Sequence, residues 1–272
     1  MKRMIAVCAA LALSVAPLLG AVAQAAPAVP SSGEFQDGSR TYHFGFQKSR
    51  NGQLPSIAQE GFMESVKRHN GIFLGNTEEK ELYLTFDNGY ENGYTTAILD
   101  VLKEKQVPAA FFVTGHYIKD QPELIKRMAS DGHLVGNHSW SHPDMSQISE
   151  TRIADELEKV RAGVEALTGN KEMRYLRPPR GIFSERVLAA SERLGYISVF
   201  WSVAYKDWDT AQQRGAQYAY DTVMGQLHPG AVILLHSVSK DNTEALARII
   251  DEARSLGYSF KSLDQLNTKV YR

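Results

Sequence analysis

From Glu81 onward, short β-rich apolar runs alternate with amphipathic segments of helical length, and this rhythm constrains the fold more than any other feature. The runs cover residues 81–87, 109–114, 133–137, 173–177, 197–203, 231–236 and 258–262. Helical patterns fill intervals such as 122–130, 150–167, 184–194 and 243–256. In the last of these, Ala245, Leu246, Ile249, Ile250, Ala253 and Leu256 form one apolar stripe at helical spacing. Repeated strand–helix order implies a parallel sheet covered by helices, because parallel neighbours need a crossover. Seven runs in one series point to an α/β fold closed as a barrel, complete or distorted. A doubly wound open sheet has the same periodicity, and the pattern alone does not separate the two.

The first residues follow another logic. Lys2 and Arg3 precede an apolar stretch from Met4 to Ala23, and Ala23-Gln24-Ala25 offers small residues for cleavage. This predicts a Sec-type signal peptide over 1–25 and export from the cytoplasm. The stretch is also long enough to cross a bilayer, so an uncleaved leader would act as a membrane anchor. Cleavage would remove Cys8, the single cysteine, and with it any disulfide or thiolate chemistry. Residues 26–80 read as a leader and an N-terminal extension packed against the main domain, 81–266 as that domain, and 267–272 as a C-terminal tail. With 30 basic and 31 acidic side chains the formal charge is −1, which gives no signal for a nucleic-acid partner. No feature points to an obligate protein partner.

In parallel α/β folds the functional groups gather at the carboxyl ends of the strands. Five of the predicted strands end in, or run into, polar residues: Asp87-Asn88-Gly89, His138-Ser139-Trp140-Ser141-His142, Arg177-Pro178-Pro179-Arg180, Asp207-Trp208 and His236. His138 and His142, four apart, would share one face of a helical turn and could reach one ion. The pair alone is equally compatible with two hydrogen-bonding surface histidines. Asp87, after a run of apolar residues, is either a helix cap or a general base, and Asn88 can offer a cation only a neutral oxygen. His236 is either structural or a general acid. Arg177 and Asp207 could pair and so orient Asp87 or His236.

These segments resemble, in order, the five motifs of the NodB-type polysaccharide deacetylases of carbohydrate esterase family four: Thr85-Phe86-Asp87-Asn88-Gly89, His138 to His142, Arg177 to Gly181, Asp207-Trp208 and Leu234-Leu235-His236. The resemblance covers about residues 81–266. It implies a distorted (β/α) barrel of about seven parallel strands as the catalytic domain there, a divalent metal, usually zinc, and hydrolysis of acetyl groups on polysaccharides. It also implies roles: Asp87 as base, His138 and His142 as metal ligands, His236 as acid, Arg177 and Asp207 as residues that tune them. Trp208 would be a wall of the acetyl pocket.

Two positions depart from the family pattern, Asn88 for a second aspartate and Arg180 for an aromatic residue. With residues 44–52, 71–75, 86–94 and 236–242, they resemble the subgroup that makes the δ-lactam of spore-cortex peptidoglycan. That resemblance implies peptidoglycan glycan strands as partner, N-acetylmuramic acid freed of peptide as substrate, and a cell-wall or spore-envelope location. Asn88 would leave the metal weakly bound. Arg180 would grip the lactyl carboxylate, which N-acetylglucosamine lacks. Backbone donors around Tyr90 would stabilise the oxyanion. A broader chitin, xylan or peptidoglycan deacetylase is the first alternative, and a glycan-binding barrel with a decayed metal site the second.

Overall fold

The computed structural model describes residues 40–50 and 53–266; the predicted signal peptide and the tail 267–272 lie outside the described residues. The chain runs through β1 (Tyr42–His43), α1 (Met63–Arg68), β2 (Glu81–Asn88), α2 (Thr95–Glu104), β3 (Ala109–Val113), α3 (Gly115–Asp120), α4 (Pro122–Ser130) and β4 (Leu134–Asn137). It continues through α5 (Glu150–Thr168), β5 (Tyr175–Leu176), β6 (Ile182–Phe183), α6 (Glu185–Arg193), β7 (Ile197–Ser198), α7 (Ala216–Met224), β8 (Ala231–His236), α8 (Lys240–Ser255) and β9 (Ser259–Phe260). Among the described residues no helix is long and apolar enough to cross a membrane.

Seven strands form one parallel sheet, in the order β7-β5-β4-β3-β2-β8, with β9 pairing the start of β2. A bridge between Val203 and Ile233 brings the chain just past β7 back onto β8, so the curved sheet meets itself. The predicted distorted (β/α) barrel is thus what the chain forms. Strand lengths differ from expectation. Only Tyr175–Leu176 and Ile197–Ser198 are regular within 173–177 and 197–203, because after them the chain turns to deliver Arg177 and Trp201 to the site.

Both faces of the central strands are buried, as expected of a parallel sheet under helices. Leu82, Leu84 and Phe86 of β2 and Ala231, Ile233 and Leu235 of β8 pack into the large core shared with the helices. The alternate residues Tyr83, Phe112 and Val232 build a smaller cluster on the inner face. Ser149, Ser184 and Ser239 cap α5, α6 and α8 by accepting backbone N–H bonds, which fixes where each helix leaves the sheet.

The extension is woven into this fold. β1 pairs antiparallel with β6, and Ile72 bridges Val199 at the sheet edge. Phe44 stacks on Phe200 with centroids 4.4 Å apart.

Candidate active site

Strand alternation selects which side chains reach the site. Asp87 and His236 are register partners on neighbouring strands, and continue the inner face begun by Tyr83 and Val232. Asp87 is not a helix cap: α2 begins after Tyr94, with no side-chain cap bond. Its Oδ1 instead accepts from Arg177 Nη1 at 2.7 Å. Arg177 is fully buried, and it also donates to Thr85 Oγ1 at 2.9 Å and to the carbonyls of Val199 and Phe200. Burial works against ionisation of Asp87, but the charges of Arg177, His138 and His236 outweigh it and hold the carboxyl below its ordinary value.

His236 is bound to Asp207, with ring Nδ1 2.7 Å from Oδ1 and the backbone N–H donated to Oδ2 at 2.8 Å. Burial alone would lower the pKa of His236; the Asp207 carboxylate reverses this and raises it. Arg177 and Asp207 therefore do not pair with each other. Each serves a different partner, because they approach the site from different strand ends. Asn242, near the start of α8, donates to Asp207 Oδ2 at 2.6 Å and accepts from the Tyr205 hydroxyl at 2.5 Å. Sequence reasoning gave Asn242 no role, although it closes the 236–242 stretch that carries the subgroup resemblance.

The two histidines meet, with ring centroids 4.9 Å apart. The expected helical turn is absent. Residues 138–142 form a loop in which Ser139 and His142 take left-handed backbone angles, φ 61° and 57°. Such angles are costly for these residues and need support. Asn137 Oδ1 accepts from Ser139 N at 2.9 Å, and Ser139 Oγ accepts from His142 N at 3.1 Å. Glu156 of α5, fully buried, takes both the backbone N–H and the hydroxyl of Ser141 at 2.7 Å and is met from outside by Arg152. Glu156 was missed from sequence. Its signal was an acid set in the apolar stripe of Ile153, Leu157, Val160 and Val164.

His138 Nδ1 lies 2.8 Å from the carbonyl of Arg177, so that nitrogen carries the proton and Nε2 keeps its lone pair, 3.6 Å from Asp87 Oδ2. Burial holds the His138 pKa below its ordinary value. Loss of solvent, then the neighbouring His138 ring, pushes His142 down to about 4. Two neutral imidazoles side by side fit a divalent cation. Among the described residues no group of three or more His, Cys, Asp or Glu has the geometry of a metal site. Asn88 does not line the cavity. One residue past Asp87, it falls on the other strand face, fully buried, where its Oδ1 accepts from Ser237 Oγ at 3.1 Å.

These groups open into a cavity of about 1210 Å3, also lined by Arg180, Tyr90, Trp208 and Trp201. Tyr90 and Trp208 are exposed at its rim. Arg180 has φ 58° and no hydrogen-bond or ion-pair partner among the described residues. The next residue, Gly181, is also left-handed, and a Cβ there would sit 2.7 Å from the Trp201 ring, so only glycine fits.

A polysaccharide deacetylase family model matches residues 74–199. The sequence is 49% identical to the peptidoglycan-N-acetylmuramic acid deacetylase PdaA of Bacillus subtilis (strain 168), over 98% of this chain and 96% of that protein. The chain belongs to the polysaccharide deacetylase family. The solved structure of Bacillus subtilis PdaA, a family 4 carbohydrate esterase, matches with a TM-score of 0.82 at 51% identity, covering 84% of this chain and 97% of that one. A family 4 pseudoenzyme from Bacillus anthracis also matches, with a TM-score of 0.67 at 31% identity over 72% and 68% of the two chains. The polysaccharide deacetylase fold thus does not by itself carry activity. In this chain the Asp87–Arg177 and His236–Asp207 pairs are both formed.

Proposed function

We propose that this chain removes the N-acetyl group of N-acetylmuramic acid in peptide-free peptidoglycan, after which the amine closes with the lactyl carboxyl to the muramic δ-lactam of spore cortex. The observation that carries this reading is Arg180, without a hydrogen-bond or ion-pair partner among the described residues, in the lining of the cavity that holds Asp87 and His236. Muramic acid has a carboxylate for that guanidinium; N-acetylglucosamine has none. The 49% identity to a deacetylase named for the same sugar supports it.

The chemistry is hydrolysis of an amide. A water molecule attacks the acetamide carbonyl while Asp87, kept ionised by Arg177, takes its proton. Backbone N–H groups near Tyr90 face the oxyanion. The carbon–nitrogen bond then breaks, His236 gives a proton to the leaving amine, and acetate departs. Asp207 and Asn242 keep the His236 ring oriented for that transfer. His138 and His142 would hold a divalent cation, zinc first among candidates, and Asn88 could join them only by giving up Ser237. Such a cation supplies polarisation of the carbonyl and acidification of the water. Trp208 forms a wall for the acetyl group. Residues 81–266 would then be the catalytic domain, and the 1–25 segment a leader that delivers it to the cell wall or spore envelope. Acetate release from purified peptide-free strands, with and without chelator, tests the activity and its metal dependence together.

A further inference from the structure

The stretch matched by the family model begins at residue 74, yet an earlier segment forms part of the cavity. Phe46 lines it directly. Three neighbouring contacts hold that segment in place. Phe44 N donates to the carbonyl of Gly181 at 2.8 Å, beside Arg180, and the Phe44 ring meets Trp201 with centroids 5.0 Å apart. Lys48 Nζ donates to the carbonyl of Ala204, itself a lining residue, at 3.3 Å. The Phe46 ring is backed by Phe44 at 6.2 Å and Phe73 at 6.1 Å. It is half-buried, so one part rests on these rings and the rest opens to the cavity.

We propose that Phe46 is a sugar-binding residue, and that the extension supplies one wall of the glycan subsites. The ligand class rests on the deacetylase reading above. A pyranose ring has one face rich in C–H groups, and an aromatic ring offers it an apolar surface with a negative quadrupole. Such a contact orders little, because the ring is already fixed from behind. The cavity volume of about 1210 Å3 exceeds the roughly 300–1,000 Å3 usual for a small-molecule site, as expected if several sugar units lie in it. The Phe46 ring carries no group that can take or give a proton, so its contribution is to binding and not to the chemical step.

The test compares Phe46→Ala and Phe46→Tyr with wild type on peptide-free peptidoglycan strands, with melting temperatures as a fold control. Phe46→Ala is predicted to raise KM about five- to tenfold, the effect of losing roughly 40–55 Å2 of apolar contact, with kcat within about twofold. Phe46→Tyr keeps the ring and is predicted to match wild type. Should Phe46→Ala fail to fold, Phe46→Leu takes its place, with a loss of roughly threefold. An unchanged KM in the folded variant, or a fall in kcat at constant KM, overturns the proposal. A wild type that releases no acetate defeats the deacetylase reading instead. Calorimetric titration with the same strands, free of turnover, then decides the role of Phe46 by the same factors.

Discussion

Asp207 holds His236 at two points, through the ring Nδ1 at 2.7 Å and the backbone N–H at 2.8 Å. One carboxylate therefore sets both where the imidazole sits and how firmly it keeps its proton. Because Asp207 raises the His236 pKa, removing its charge must lower it. Asp207→Asn is predicted to move the alkaline limb of the kcat–pH profile to lower pH and to cut kcat by roughly a hundredfold. Asn242→Ala should not move the limb to lower pH, since Asp207 keeps its charge and loses only a 2.6 Å donor that shared it; the loss should show in kcat, through a less firmly held ring. An alkaline limb that stays in place in Asp207→Asn would show that His236 is not the proton donor.

Arg177→Met leaves Asp87 buried without the cation that bonds it directly. Breaking a buried pair in this way costs about 3–5 kcal/mol, which denaturant unfolding would read. The Asp87 pKa must rise once the counter-charge is gone, so the acid limb of activity should move to higher pH. In wild type the carboxyl titrates below its ordinary value of about 3.9. The stability from the pair is therefore complete above that pH and is lost only as pH falls through the lowered value.

Glu156 acts at a distance, by bracing the loop that presents His142. Glu156→Ala leaves the Ser141 N–H and hydroxyl without their acceptor, at a cost of about 1–3 kcal/mol in stability. On the metal role proposed for His142, it should also weaken zinc binding, because the loop that presents His142 loses its brace. Calorimetry on the folded variant separates the two effects. Unchanged affinity would mean that the loop holds its shape without Glu156.

Arg180 should matter only to substrates that carry a carboxylate. Loss of a charge-assisted bond of about 1.5–3 kcal/mol predicts a fall in kcat/KM of roughly ten- to a hundredfold on peptide-free peptidoglycan in Arg180→Ala. Slow turnover of chitin oligomers should be little changed. Arg180→Lys should recover part of the loss, because an ammonium cannot grip both carboxylate oxygens in one plane. Equal losses on both glycans would assign Arg180 a structural role.

The strand–helix rhythm from Glu81 was legible because parallel strands buried on both faces need long apolar runs, and 231–236 forms the strand expected. The runs at 173–177 and 197–203 overstated regular structure, since apolar residues also line the irregular turns that carry Arg177 and Trp201. Spacing alone placed His138 and His142 together but on the wrong backbone. Left-handed angles at Ser139 and His142 depend on distant partners, Glu156 among them, that no local pattern reveals. Asn88 shows the opposite limit. Its neighbour Asp87 reaches the cavity, while strand alternation sends Asn88 to Ser237. The place of Phe46 in the cavity was hidden as well, because it depends on how Phe44 docks on Gly181 and Trp201.

The central claim is that muramic acid loses its acetyl group here through Asp87 and His236. Mass spectrometry of muramidase fragments, after incubation of peptide-free and intact peptidoglycan with the protein and zinc, tests it most directly. The account predicts acetyl loss from muramic acid residues of the peptide-free strands, none from peptide-bearing ones, and none at all with Asp87→Asn. Acetyl loss mainly from glucosamine residues, or undiminished loss with Asp87→Asn, would contradict it.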